Sequence, residues 1–218
     1  VIAQTNAVLV MRSDAGARTV KDIQAKQFVV GSTGRGSQTF LMPALMNAVM
    51  GAKLKIVSGY PGSAKTMLAM EQGEVQGISL TWGSWKLSKA EWFKNGFALP
   101  VVQFGLYKEP DLPDVPMGQE FVTGEDDRKI VALLSSLSPV GRGFVAPPGV
   151  PADRVAVLRA AFDATVKDKR TIEDFEKRNF DINPLTGAEV QKIIAEISNV
   201  TPDLAKRASK AIFGDDGS

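Results

Sequence analysis

Three short stretches carry the residue types that could do chemistry: GSTGRGSQ (31–38), SGYPGSAKT (58–66) and LTWGSW (80–85). Each joins glycine to hydroxyl side chains, and each lies between a strand-like run and a segment of helical pattern. Hydroxyls donate hydrogen bonds, and glycine lets backbone approach a ligand closely. A helix starting at such a turn presents unpaired N–H groups and a partial positive charge. The chemistry indicated is anion recognition. Ordinary Ser- and Thr-capped turns use the same residues, so one such turn carries little weight and three in succession carry more.

Phosphate is the first anion to test. GYPGSAKT, Gly59 to Thr66, approaches the nucleotide loop G-x-x-x-x-G-K-[ST], but Ala64 replaces its second glycine. Pro61 removes an N–H from the cradle. The next strand, VQGISLTW, ends without the aspartate that holds magnesium in such proteins. GSTGRG is spaced G-x-x-G-x-G, not the dinucleotide G-x-G-x-x-G. Nucleotide binding is therefore not expected, and no cofactor or metal is assigned.

Composition narrows the chemistry further. The chain has no cysteine and no histidine, which removes thiolate nucleophiles, disulfides, the usual triads and the commonest metal ligand. No catalytic residue is assigned. A net charge of +2 argues against nucleic acid as a partner. The longest uncharged runs, TFLMPALMNAVMGA and NGFALPVVQFGLY, fall short of the ~20 residues a membrane helix needs. The chain starts at Val1 with neither Met nor leader, as after removal of a signal peptide or in a fragment.

The elements that position the turns follow from periodicity. Strands are expected over 4–12, QFVVGS, KLKIVSGY, VQGISLTW and FALPVVQFG. Helices are expected over RTVKDIQAK, capped by Thr19 with Asp22, over TFLMPALMNAVMGA, with Pro43 in the first turn and Gly51 at the end, and over GSAKTMLAMEQGE. WGSWKLSKAEWFKNG reads as helical or irregular. Strand, turn and helix repeat at close spacing, the pattern of a parallel sheet with helices on its faces. YKEPDLPDVPMGQEF reads as a loop, GEDDRKIVALLSSLSP as a helix and VGRGFVAPPGVP as a strand with a proline stop. The tail reads as helices over 151–178, 186–198 (capping box Thr186 and Glu189) and from the Thr-Pro pair at 201 onward. Their stripes, Val155/Leu158/Phe162/Val166 in the first, read as core packing.

The ordered set GSTGRGSQTFLMPALMNAVMGAKLKIVSGYPGSAKTMLAMEQGEVQG, EPDLPDVPMGQEF, VGRGFVAPPGVPADRVAVLRAAFDATVKD and INPLTGAEVQKIIAEI resembles the substrate-binding receptors of tripartite tricarboxylate transporters, the TctC or Bug family. The resemblance covers nearly the whole chain. It implies an α/β, type II periplasmic binding protein with two lobes, mostly parallel sheets and helices on both faces. It also implies an incomplete first lobe, because members begin further upstream. Residues 15–137 would form the central ligand-binding lobe, with 1–14 and 138–218 the remainder of the other.

By the same resemblance the protein is a periplasmic, non-enzymatic carrier that delivers a small organic carboxylate to a membrane permease. The ligand positions carried over are Ser32, Thr33, Gly34, Gly36, Ser37 and Gln38 in the first turn and Tyr60, Gly62 and Ser63 in the second. In the third, Thr81 and Trp82 stand where many members have an aspartate. Arg35 and Lys65 are cations that could pair with a carboxylate. A ligand-sensing module for a signalling partner would use the same pocket, and so would an enzyme acting on phosphorylated or carboxylated substrates. Self-association through the tail helices is expected if nothing covers their stripes.

Overall fold

The computed structural model describes residues 1–136, 140, 142–178, 180 and 182–214. Five strands, β1 Ala7–Arg12, β2 Phe28–Ser32, β3 Leu54–Ser58, β4 Gly77–Thr81 and β5 Ala98–Phe104, form one sheet in the order β3-β2-β4-β1-β5. β2 runs parallel to β3 and β4, whereas β1 pairs antiparallel with β4 and β5. The sheet is thus mostly parallel with one reversed central strand. The β1–β5 register shifts between Leu9 and Val10, where Pro100, which has no N–H, sits opposite Val10.

Helices α1 Val20–Ala25, α2 Gln38–Met50 and α5 Glu125–Ser135 cover one face, and α3 Ser63–Glu71 and α4 Trp82–Lys94 the other. β1 shows why the sequence stacks two layers. Leu9 and Met11 join the core beneath α2, and Val8 and Val10 join the core beneath α4. A strand buried on both faces reads as a continuous apolar run. In the second core Trp85 is fully buried, with ring centroids 5.9 Å from Trp92 and 6.1 Å from Phe93.

Local signals behave as their chemistry dictates. Thr19 and Asp22 form a capping box, Gly51 closes α2 at φ 67°, and α4 kinks at Lys89. α2 starts at Gln38, so Pro43 lies inside the helix and not in its first turn. The region 151–178 is two helices, α6 Ala152–Thr165 and α7 Lys169–Lys177, because Asp168 caps a new start by accepting from Thr171 N. α8 Gly187–Ser198 carries the Thr186–Glu189 capping box, and α9 Pro202–Phe213 starts with Pro in its first turn.

Three expectations change. No strand forms over 142–150, where Phe144 and Val145 are exposed, because no neighbouring strand supplies the hydrogen bonds; Gly141 and 137–139 lie outside the described residues. The stripe of α6 is core only at its end: Leu158 is 59% exposed, Val155 and Phe162 are half-buried, and Val166, just past the last turn, is buried. Residues 7–12 and 202–213, placed with the flanks by sequence, join the central unit, the first as a strand of its sheet and the second against its helices α2 and α5. β1 is hydrogen-bonded on both edges, and the stripe of α9 (Leu204, Ala208) packs into the core beneath α2 and α5. Residues 1–4 instead bond to Arg142, Asn183 and Leu185.

Candidate functional site

β2, β3 and β4 all end at one edge of the sheet, and β1, being reversed, begins there. Ser32 ends β2 directly beside Ser58 of β3. Its carbonyl accepts from Gly59 N at 3.1 Å and Tyr60 N at 3.3 Å, which ties the first turn to the second. Gly31 makes this approach possible: a Cβ there would fall 2.4 Å from Thr66 Cγ2.

The first turn is built around a hydroxyl cluster. Thr39 Oγ1 lies 2.6 Å from Ser37 Oγ, 3.2 Å from Thr33 Oγ1 and 3.2 Å from Ser32 Oγ. It also accepts the Thr33 N–H at 2.9 Å. Ser37 is the N-cap of α2, yet its hydroxyl turns away from the helix amides and donates to Gly34 O at 2.7 Å. Among the described residues the N–H groups of Arg35, Gly36, Gln38 and Thr39 have no acceptor, and neither does the buried Gln38 Nε2. That is a concentration of donors with the positive end of a 13-residue helix behind it.

The second turn adds fewer donors. Gly62, at φ 105°, caps α3 in a backbone conformation that side chains disfavour, and Ser63 is exposed. Tyr60 is half-buried and its hydroxyl donates to Glu74 Oε2 at 3.4 Å. Burial first, and the Glu74 carboxylate second, raise its pKa, so it remains a neutral donor. Lys65 is exposed on α3.

The third turn differs. Trp82 N donates to Asn6 O at 2.8 Å, Gly83 N to Thr5 Oγ1 at 2.8 Å and Ser84 N to the Thr81 cap at 3.3 Å. The Trp82 indole lies in the core and donates to Asp111 Oδ2. So Trp82 brings no donor to the edge, whereas the Thr81 hydroxyl does, 2.7 Å from Ser84 Oγ. Arg142 Nη2 donates to both hydroxyls, at 3.3 and 3.2 Å.

Two of these participants carry no mark in the glycine turns. Thr39 lies one residue beyond the first turn, and its place in the first turn of α2 is the signal that points to it. Arg142 is remote in sequence from the turn it meets, and no local pattern marks it. Arg35, read as a possible carboxylate partner, is instead held by α9: it donates to Phe213 O at 3.2 Å and lies over the rings of Phe40 and Phe213.

Asp111 secures the third turn from below. The hydrogen bond from the Lys86 ammonium, at 2.6 Å, and then that from Trp82 Nε1 outweigh its burial and hold its pKa below the usual aspartate range. A depressed folded pKa means stability is present above the unfolded value and lost as pH falls through the folded one. The pair is half-exposed, so its contribution is about 1 kcal/mol or less. Asp111→Asn should flatten the acid limb of a melting-temperature profile below the ordinary aspartate pKa. An acid limb as steep as the wild type's would refute this.

Several solved structures are similar to this chain in shape. A TctC solute-binding protein from Polaromonas superposes with a TM-score of 0.67 at 17% identity, over 94% of this chain and 67% of its own. The fold is that of a TctC-type periplasmic binding protein. A protein of R. palustris solved with adipate matches with a TM-score of 0.63 at 16% identity, over 97% of this chain and 66% of its own. MatC from Rhodopseudomonas palustris, with bound malate, matches at 0.59 and 17%, over 96% and 67%. The chain spans about two thirds of the length of these structures. No protein-family model and no curated protein sequence matches it. Among the described residues no helix is long and apolar enough to cross a membrane.

Proposed function

We propose that this chain belongs to the solute-binding receptors of tripartite tricarboxylate transporters. It captures a small organic carboxylate in the periplasm for delivery to a membrane permease, and it is not an enzyme. The observation that carries this reading is the first turn. Among the described residues four backbone N–H groups and the Gln38 amide lack acceptors there, in front of a helix N-terminus. A carboxylate accepts several N–H bonds at once and is favoured by that dipole. Adipate and malate in the R. palustris structures are ligands of the same class. The division into a central lobe and a second one belongs to this reading, with β1 and α9 counted in the central lobe.

A thermal-shift screen against mono-, di- and tricarboxylates tests it, because a ligand that binds only the folded state raises the melting temperature. At least one acid should stabilise the protein, and nucleotides should not. Thr39→Val would remove the acceptor of the Thr33 N–H and the centre of the hydroxyl cluster. Affinity for that acid should fall about tenfold, the scale of one hydrogen bond to a charged group. Unchanged affinity by calorimetry would place the ligand away from the first turn.

A further inference from the structure

Arg142 occupies a position that stability does not account for. Its guanidinium sits against the first turn of α4, where the helix dipole is positive and a cation is disfavoured. No carboxylate among the described residues pairs with it. It is half-buried, and burying a charge without a carboxylate partner among the described residues is costly. Yet the side chain is held firmly. Nη2 donates to the Thr81 and Ser84 hydroxyls, Phe180 lies under the guanidinium at 5.3 Å, and the Arg142 carbonyl accepts from Ile2 N at 3.0 Å. Gly83 leaves it room, since a Cβ there would lie 3.2 Å from Nη1. A guanidinium has five donors, and only Nη2 is engaged with protein among the described residues.

An anion on the remaining donors would resolve each of these costs at once. We propose that Arg142 is a second anion contact of the site, pairing with a second acidic group on a ligand whose first carboxylate is held by the amides of the first turn. Thr81 ends β4 and Ser32 ends β2, and these neighbouring strands run parallel, so the first turn and the hydroxyls that hold Arg142 lie on the same edge of the sheet. The planar fork suits a carboxylate bound through both oxygens, which a lysine cannot match. The inference rests on the carboxylate reading of the first turn and adds the charge that selects among carboxylates.

Calorimetry with matched acids separates the two claims. Succinate, glutarate and adipate are each compared with the monoacid of equal carbon number: butanoate, pentanoate and hexanoate. At least one diacid should bind about tenfold or more tightly than its monoacid. In Arg142→Gln that diacid should fall to the affinity of its monoacid. Arg142→Lys, which keeps the charge and loses the fork, should retain only part of the preference. It serves as the readout should Arg142→Gln not fold. Equal binding of both acids by the wild type would overturn the role of Arg142 and leave the first-turn site standing. So would a variant in which both acids weaken in proportion with the preference intact. Binding of none of these acids would overturn the carboxylate reading and this inference together.

Discussion

Trp85→Ala is expected to cost about 3–5 kcal/mol of folding free energy, the range for truncating a fully buried large aromatic. Trp85 has no solvent exposure, contacts Trp92 and Phe93, and donates from its indole to the Val8 carbonyl at 3.4 Å. The truncation opens a cavity between α4 and the reversed strand β1, and neither side can collapse into it. β1 is pinned by β4 and β5, and α4 is anchored at its start by Thr81 and Asn6. A domain of ordinary stability has only about 5–15 kcal/mol in hand, so the variant should sit near its unfolding threshold. Urea titration should show a large drop in midpoint with little change in slope. A loss below about 1 kcal/mol would mean that the aromatic cluster repacks.

Gln103→Leu should cost about as much for a different reason. Gln103 is fully buried in β5, and every polar atom of its amide is used. Nε2 donates to Leu112 O at 3.0 Å and Val115 O at 2.8 Å, and Oε1 accepts from Asn6 Nδ2 at 2.8 Å and Glu109 N at 2.9 Å. Leucine fills similar space and leaves these groups with fewer partners. Stranding a buried polar group costs about 1–3 kcal/mol, and with several affected the total should reach about 3–5 kcal/mol. The effect should also reach the functional edge, because the Asn6 carbonyl holds the Trp82 N–H at the start of α4. Hydrogen exchange should show loss of protection at Glu109 and Trp82. Gln103→Glu, which keeps an acceptor and loses the donors, should leave Glu109 protected. A stability-neutral Gln103→Leu would remove this network from the account.

Much of the architecture was legible because it follows from local rules. The capping boxes at Thr19 and Thr186, the left-handed Gly51 and the five strand patterns depend on neighbours in sequence. So did the joining of the first two turns, since both follow parallel strands. What was hidden depends on partners far along the chain. Nothing in QTNAVLVMR states that β1 runs against its neighbours, because a strand buried on both faces has the same pattern in either direction. The apolar stripe of α6 is identical in kind to that of α9, and only the presence of α2 and α5 decides which is buried. Trp82 follows β4 at the edge, and its indole reaches Asp111, 29 residues on. Arg142 meets Thr81 across 61 residues. Such long-range polar contacts are the part of a site that a single sequence conceals.

The place of β1 bears on how the chain is made. Of the five strands it is made before its partners and completed last, since its hydrogen-bonding edges belong to β4 and to β5, which ends at Phe104. While the ribosome is still adding residues 13–76, the β2–β3 pair can form with α2 packed on it, and Leu9 and Met11 have no strand to dock on. A mostly apolar hexapeptide therefore waits unpaired on the growing chain, a state in which strands recruit unintended neighbours. Once β4 and β5 have emerged, β1 must slide between them as a wedge, closing pairs that run from Met11 with Gly77 to Ala7 with Phe104. Sheet completion, not helix formation, should set the pace of folding. A peptide of sequence AVLVMR supplied during refolding should compete for that slot.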